Sequence, residues 1–111
     1  MQYALLIHTR PGAMEELTDA EREQITAEYF AIRDEPGCFA GGQLQPVETA
    51  TTVRVQDGQS LITDGPFADT KEVFAGYYLF ERDNLDEVLE IAARVPAARL
   101  GGSVEVRALV H

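Results

Sequence analysis

The segment TVRVQDGQSLIT, residues 52–63, has the pattern of an antiparallel β-hairpin. Polar and apolar residues alternate from Thr52 to Val55, as they do in a strand with one buried face. Asp57-Gly58 suits a type I′ turn, because both central residues of that turn need a positive φ. Residues 60–63 then form the return strand. The hairpin lies in the middle of the chain, and the other predicted elements flank it on both sides.

Before the hairpin, the sequence predicts one strand, one helix and a short extended segment. The apolar run from Tyr3 to His8 is typical of a buried first strand. Thr18 and Glu21 form a T-x-x-E capping box, which marks the start of a helix. That helix should end before Pro36, because the residue before a proline avoids the α region. Residues 43–46 are predicted to be extended.

After the hairpin, the pattern predicts a strand, a second helix and a final strand. The aromatic run GYYLFE, residues 76–81, indicates a central strand. Asn84 suits the cap of the second helix, and Pro96 ends or bends that helix. Alternation over residues 103–110 predicts the last strand. The apolar stripe predicted for the second helix consists of Leu85, Val88, Leu89 and Ala92.

The order β-α-(β-hairpin)-β-α-β predicts an α+β fold of the ferredoxin-like kind, in one domain that spans residues 1–111. Both helices should lie on one face of the sheet. The other face would then be apolar and uncovered, which is costly in water. A two-fold homodimer, in which a second sheet covers this face, is the simplest closed solution.

The composition disfavours several classes of function. The chain has 19 acidic and nine basic residues and a formal net charge of −10, without a basic cluster, which disfavours nucleic acids and anionic membrane surfaces as partners. No apolar run approaches the length of about 20 residues that crosses a bilayer. The single cysteine, Cys38, fits a reducing compartment such as the cytoplasm, and a small hydrophobe is a more common role for it than a nucleophile.

The motif inventory predicts no metal and no cofactor. The glycine pair at Gly41-Gly42 lacks the spacing of a phosphate-binding loop. Cysteine, histidine and carboxylate residues do not occur at metal-ligand spacing. No G-x-S-x-G elbow of a serine hydrolase is present.

The segment ITDGPFADTKE, residues 62–72, resembles the signature of the DGPF branch of the YCII-related family. GGQLQP at 41–46, GYY at 76–78 and VEVR at 104–107 agree with that resemblance, which covers nearly the whole chain. It implies a ferredoxin-like subunit that pairs into a dimeric α+β barrel. A His–Asp pair has been proposed as the active site in YCII-type members, but the first helix here has no histidine. Of that pair, only the aspartate of the motif, Asp64, has a matched position.

Asp64 is therefore the centre of the predicted site. A carboxylate near the ammonium group of Lys71 can bind a polar ligand or act as an acid or base. Lys71 or His8 would stabilise developing negative charge. The predicted catalytic residues are Asp64, Lys71 and His8, and the predicted ligand-binding residues are Phe67, Glu72, Tyr77 and Tyr78.

Each of these residues also has a structural interpretation. Asp64 could simply stabilise the turn that follows it, and charged runs usually form solvated surface. Aromatic residues at strand spacing more often belong to a core or an interface, and a lone histidine at a strand end is more often a hydrogen-bonded structural group.

Two functional hypotheses remain open. The first is an enzyme that acts on a small polar organic molecule at the mouth of a barrel. The alternative is a non-catalytic ligand-binding dimer, or a regulatory dimer linked to stress or sigma factors, as the genomic setting of the family suggests. A purely structural dimer is the third possibility.

Overall fold

The structure is a computed structural model that describes residues 1–65 and 71–110. It contains six strands and two α-helices within those ranges, together with 3₁₀ turns at Val47–Thr49 and Pro96–Arg99. The strands are β1 (Gln2–Thr9), β2 (Cys38–Gln43), β3 (Thr51–Gln56), β4 (Gln59–Asp64), β5 (Val73–Glu81) and β6 (Ser103–Ala108). The helices are α1 (Asp19–Arg33) and α2 (Leu85–Ala93).

Four strands form the main sheet in the order β2-β5-β1-β6, and every neighbouring pair is antiparallel. Strands β1 and β5 occupy the centre, as the aromatic run in β5 predicted. Both helices pack on the same face of this sheet, because Ile32 of α1 and Val88 of α2 share one core cluster with Leu5 and Phe80. The predicted α+β, ferredoxin-like fold is confirmed.

The core lies between the main sheet and the helices. Leu5 and Phe80 come from the two central strands and are completely buried, as are Val88 and Val95 from α2 and the turn that follows it. The residues of the core cluster are Tyr3, Leu5, Ile7, Ile32, Tyr78, Phe80, Val88, Ile91, Ala92, Val95 and Ala97. Alternate residues of β1 and β5 therefore face the helices.

The helix ends follow the predicted capping residues. In α1, the hydroxyl of Thr18 accepts from the backbone N–H of Glu21, whose carboxylate in turn accepts from the backbone N–H of Thr18. In α2, the Asn84 side chain accepts from the backbone N–H of Glu87. No helix in the described parts of the chain is long and apolar enough to cross a membrane.

The buried face of α2 differs from the predicted stripe. Val88, Ile91 and Ala92 are buried, whereas Leu85 and Leu89 are each 46% exposed. The predicted stripe included Leu85, which lies in the first turn, where the helix begins at the edge of the core. Helical geometry instead places Ile91 on the buried face, three residues after Val88.

The hairpin forms as predicted, but it does not join the main sheet. Asp57 and Gly58 have φ values of 52° and 77°, as a type I′ turn requires. Strands β3 and β4 pair only with each other, and almost all of their residues are exposed. The position beside β5 is taken instead by β2, whose glycine pair had not predicted a strand.

The face of the main sheet opposite the helices carries an apolar stripe in its two central strands. Ala4 and Leu6 of β1 pair in register with Leu79 and Tyr77 of β5. Their neighbours along each strand point into the core, so strand alternation directs these four side chains to the other face. Ala4 is buried between its neighbours, and the other three residues are half-buried.

Candidate functional site

A cleft of about 640 Å³ opens between α1 and the helix-side face of the main sheet. Its floor is formed by β1, β2 and β5, and α1 forms one wall. The loop over residues 10–15 and the segment over residues 43–48 form its rim. The charged and tyrosine residues of its described lining are Arg10, Glu15, Tyr29, Arg33, Glu48 and Tyr78.

The interior surface of the cleft is mainly apolar. Ile7 lies on the floor, and Tyr29 and Phe30 line the α1 wall. Phe30 and Leu44 are exposed large hydrophobic residues in the described structure, with exposed fractions of 67% and 43%. Apolar walls with a few polar groups are typical of small-molecule sites.

The hydroxyl groups of the two cleft tyrosines form hydrogen bonds with the protein backbone. The Tyr78 hydroxyl donates to the backbone oxygen of Tyr29 at 2.7 Å. Burial raises the pKa of Tyr78 from 10.0 to about 12. Burial also raises the pKa of Tyr29, whose hydroxyl interacts with the backbone of Ala97. Both side chains are therefore neutral phenols at physiological pH.

Two arginines line the cleft, and their surroundings differ. Arg10 forms a bidentate pair with Glu16, with N–O distances of 3.1 and 2.9 Å. This contact lowers the pKa of Glu16 through the hydrogen bond and the charge of Arg10. The Nη1 atom of Arg33 instead lies 3.6 Å from the Sγ atom of Cys38.

Arg33 lies close over β2 because position 41 has no side chain. A Cβ atom at Gly41 would be 3.0 Å from a ring carbon of Tyr78 and 3.3 Å from the Cδ atom of Arg33. The glycine thus allows the arginine stem and the tyrosine ring to approach the strand together. The guanidinium group is held at the end of the cleft where α1 meets β2.

Two exposed glutamates complete the charged lining. Glu15 belongs to the loop before α1, and Glu48 belongs to the 3₁₀ turn after β2. Both lie on rim segments, whereas Arg33 extends from α1 across β2. Among residues 1–65 and 71–110, no group of three or more histidine, cysteine, aspartate or glutamate side chains could hold a metal ion.

The sequence-predicted site residues do not converge in the described structure. Tyr78 lines the cleft, but Asp64, Lys71, His8, Glu72 and Tyr77 are not among its lining residues. Phe67 lies outside the described residues. Asp64 is exposed at the end of β4, and Lys71 is exposed two residues before β5 begins.

His8 and Tyr77 lie on the opposite face of the sheet from the cleft. The His8 ring is 5.6 Å from the Phe74 ring, and its Nε2 atom is 3.6 Å from the Oε1 atom of Glu105. A bulge after Ile7 precedes this contact. Tyr77 pairs in register with Leu6, whose side chain also lies on the face away from the core. The prediction treated both residues as neighbours of Asp64, because sequence alone does not show which face each one occupies.

The described ends of the DGPF segment approach the cleft through their backbone. The N–H of Gly65 donates to the carbonyl of Ala50 at 2.6 Å, and Ala50 lies two residues after the lining residue Glu48. The Thr52 hydroxyl donates to the Gly65 carbonyl at 2.8 Å. On the other side, Val73 is itself a lining residue. Gly65 and Val73 therefore both lie close to one side of the cleft.

Sequence reasoning missed the residues that form most of the cleft. Arg33 lies in the last turn of a helix, where a basic residue is common. Gly41-Gly42 was interpreted only as part of the family motif and as a pair without the spacing of a phosphate-binding loop. The available signal was the pairing of two glycines with two tyrosines. In the structure, Gly41 pairs with Tyr78 and Gly42 pairs with Tyr77 across neighbouring strands.

The chain belongs to the YCII-related domain family, whose model matches residues 1–111. An uncharacterised protein of Rhizobium meliloti (strain 1021) is 33% identical over 114 residues. That alignment covers 98% of this chain and 92% of the relative. The predicted family resemblance is confirmed.

The fold is shared with a solved enzyme structure. It is 5-chloro-2-hydroxyhydroquinone dehydrochlorinase (TftG) from Burkholderia phenoliruptrix AC1100, in complex with 2,5-dihydroxybenzoquinone. The match covers 100% of this chain and 95% of that chain, with a TM-score of 0.56 and 18% identity. At this identity the match supports the fold.

Proposed function

We propose that this YCII-related chain is an enzyme that acts on a small ring compound bound in the cleft between α1 and the sheet. The observation that carries the proposal is the cleft itself. Its volume of about 640 Å³ lies within the range of about 300–1,000 Å³ that is usual for small-molecule sites. Tyr29, Phe30 and Tyr78 provide aromatic surface against which a planar ring can pack.

The related fold of TftG, an enzyme solved with a hydroxylated quinone, supports a ligand of this size. The apolar walls suit the ring, and the polar groups of the lining suit its substituents. We therefore take hydroxylated six-membered rings as the substrate class and 2,5-dihydroxybenzoquinone as the first probe.

Asp64 is the proposed acid or base. Support comes from its neighbour Gly65, which is hydrogen-bonded to Ala50 beside the rim of the cleft. In this role the Asp64 carboxyl group donates a proton to a ring carbon of the bound enolate, which gives the keto form with two hydrogens on that carbon. The resulting Asp64 carboxylate then removes one of these two protons and restores the enolate. Lys71, near the other described end of the DGPF segment, would stabilise the anion. The proposal does not include His8, because it lies on the far face of the sheet.

The proposal includes a homodimer and a cytoplasmic location. The apolar stripe of Ala4, Leu6, Tyr77 and Leu79 supports a second copy as the cover of that face. Cys38, the single cysteine, supports a reducing compartment.

Blocking the cleft tests ligand binding. Thr26 is exposed on α1 and lines the cleft, whereas Glu23 is exposed on the same helix and does not. Thr26→Trp should abolish binding of 2,5-dihydroxybenzoquinone in isothermal titration calorimetry, and Glu23→Trp should bind like the wild type. Absence of binding to the wild type, or equal binding by the two variants, would overturn the proposed site.

Proton exchange tests the catalytic part. The wild type should accelerate incorporation of deuterium at the ring C–H positions of 2,5-dihydroxybenzoquinone in D₂O, followed by NMR. Asp64→Asn should lose most of this acceleration, since general acid–base catalysis contributes about 10²–10⁴-fold, and should still bind the probe. An unchanged exchange rate in Asp64→Asn would exclude Asp64 from this role.

The second candidate is a non-catalytic ligand-binding protein. It is favoured by one observation: Asp64, Lys71 and His8 are absent from the lining of the cleft. Binding that Thr26→Trp abolishes, without any acceleration of exchange by the wild type, would support this candidate over the enzyme.

A further inference from the structure

The positive charge of the cleft is concentrated at one residue. Arg10 and Arg33 are the only arginine, lysine or histidine residues among the described lining. Both Arg10 nitrogens that face Glu16 are engaged by its carboxylate, so that charge is neutralised within the protein. Arg33 is therefore the described lining cation whose charge is not paired with a carboxylate.

Arg33 has no carboxylate within 4.0 Å among residues 1–65 and 71–110, and its guanidinium group contacts the thiol of Cys38. A thiol is a weak hydrogen-bond acceptor, and a guanidinium group has five N–H donors. Most of the donor capacity of Arg33 is thus unused by the described protein. By comparison, Arg22, Arg82, Arg94 and Arg99 each pair with a carboxylate.

The Arg33 stem packs beside two neutral residues of the cleft, Gly41 and Tyr78. The Tyr78 hydroxyl is committed to the Tyr29 carbonyl, and burial keeps it protonated by raising its pKa to about 12. The described acids of the lining, Glu15 and Glu48, are on the rim segments. An anion that enters the aromatic end of the cleft would therefore meet an uncompensated guanidinium group beside neutral surface.

We infer that Arg33 recognises the negative charge of the ligand. The substrate class of the proposed enzyme is then a ring compound with two neighbouring oxygens that share a negative charge, as in a carboxylate or in the enolate of a hydroxyquinone. The inference rests on the proposed function, because it assigns a residue within the same cleft. A planar guanidinium group binds two such oxygens side by side. The glycine at position 41 holds the arginine stem where this approach is open.

The chain as a whole does not favour anions. Its formal net charge of −10 repels them at long range. Selectivity for an anionic ligand would therefore have to come from a local contact. A single substitution that neutralises Arg33 should therefore remove the preference of the protein for an anionic ligand over a neutral ligand of the same shape.

Benzoate and benzamide form a probe pair of nearly equal size that differs in charge. The wild type should bind benzoate at least about ten times more tightly than benzamide, since a charge-assisted hydrogen bond changes affinity by about that factor or more. Arg33→Gln should weaken benzoate binding by a similar factor and leave benzamide binding unchanged. Arg33→Lys keeps the charge but loses the bidentate geometry, so its affinity for benzoate should lie between those of the wild type and Arg33→Gln.

Arg94→Gln is the matched control. It removes the same charge from an exposed residue outside the cleft, so benzoate binding should match that of the wild type. Thermal unfolding of each variant shows whether the protein is still folded, so that a loss of affinity can be distinguished from unfolding.

The outcomes separate this inference from the proposed function. One outcome is that Thr26→Trp prevents binding of both probes while Arg33→Gln binds benzoate as tightly as the wild type does. In that case the cleft is the binding site, and the proposed role of Arg33 is wrong. If the wild type binds 2,5-dihydroxybenzoquinone but binds benzoate no more tightly than benzamide, the inference is wrong and the proposed site stands. If the wild type binds none of the three probes, both the inference and the proposed site are overturned.

Discussion

At the scale of single residues, Tyr78 connects the core, the cleft and the first helix. Its ring belongs to the core cluster, and its hydroxyl donates to the carbonyl of Tyr29 in α1. The same side chain lines the cleft, beside Arg33 and over Gly41. A change at this position should therefore affect stability and ligand binding together.

Tyr78→Phe should alter the alkaline titration of the protein. The folded-state pKa of Tyr78, about 12, exceeds the ordinary value of 10.0, because burial disfavours the charged form. The associated stability is fully present below pH 10 and is lost as the pH rises towards 12. Tyr78→Phe should remove the last tyrosine to ionise in an ultraviolet titration, and it should flatten the decline of unfolding free energy over that interval.

Near neutral pH, Tyr78→Phe should cost about 1 kcal/mol for the lost hydrogen bond. Tyr3→Phe is the comparison, because its hydroxyl has only a 3.8 Å contact to the sulfur of Met1. A tyrosine that still ionises near pH 12 in Tyr78→Phe would contradict the assignment.

Residue identity alone predicted part of the candidate site. The aromatic run singled out Tyr78, which lines the cleft, whereas Asp64, which the motif singled out, is not among the described lining residues. The sequence does not show which side of the sheet each residue faces. The bulge between Ile7 and His8 illustrates the difficulty, because it shifts the register of β1 against β5 at the strand end. Arg33 was missed because its role depends on the absence of a nearby carboxylate, which is a property of the folded chain.

At the scale of elements, local signals were reliable where one short motif specifies one geometry. The capping box of α1, the Asn84 cap of α2, the Asp57-Gly58 turn and the proline stops each depend on particular backbone groups or angles, so the sequence predicted them directly. Strand β2 was not found, because glycine has a low strand propensity. Its glycines leave room for the tyrosine rings of β5, which lie against them in the folded chain.

The capping box of α1 can be tested directly. Thr18→Ala should lower the free energy of unfolding by about 1 kcal/mol, because the N–H of Glu21 loses its acceptor. Thr18→Ser keeps the hydroxyl and should retain most of the stability. Urea unfolding of the three proteins measures the difference, and an equal loss in both variants would show that the methyl group of threonine matters instead of the cap.

At the scale of the whole molecule, the described chain is a thin slab with extents of 45 × 39 × 19 Å. Its radius of gyration of 15.8 Å exceeds the value of about 13 Å usual for this length, because the hairpin extends beyond the two packed layers. Val53, Val55 and Ile62 lie on one side of the hairpin and remain exposed.

Sedimentation tests the proposed homodimer. Leu6→Glu places a charge on the uncovered face of the sheet and should convert a dimer to a monomer at micromolar concentration. Leu89→Glu makes the same change at an exposed position of α2 and should leave the dimer intact. A monomeric wild type, or a dimeric Leu6→Glu protein, would show that this face is not the interface.

The one-sided covering of the sheet has a thermodynamic consequence. When association buries a surface that folding alone leaves half-covered, folding and association share one equilibrium, and mass action links the melting temperature to the amount of protein in solution. Dilution would then act as a mild denaturant. Comparisons between variants are accordingly meaningful only at matched protomer concentrations.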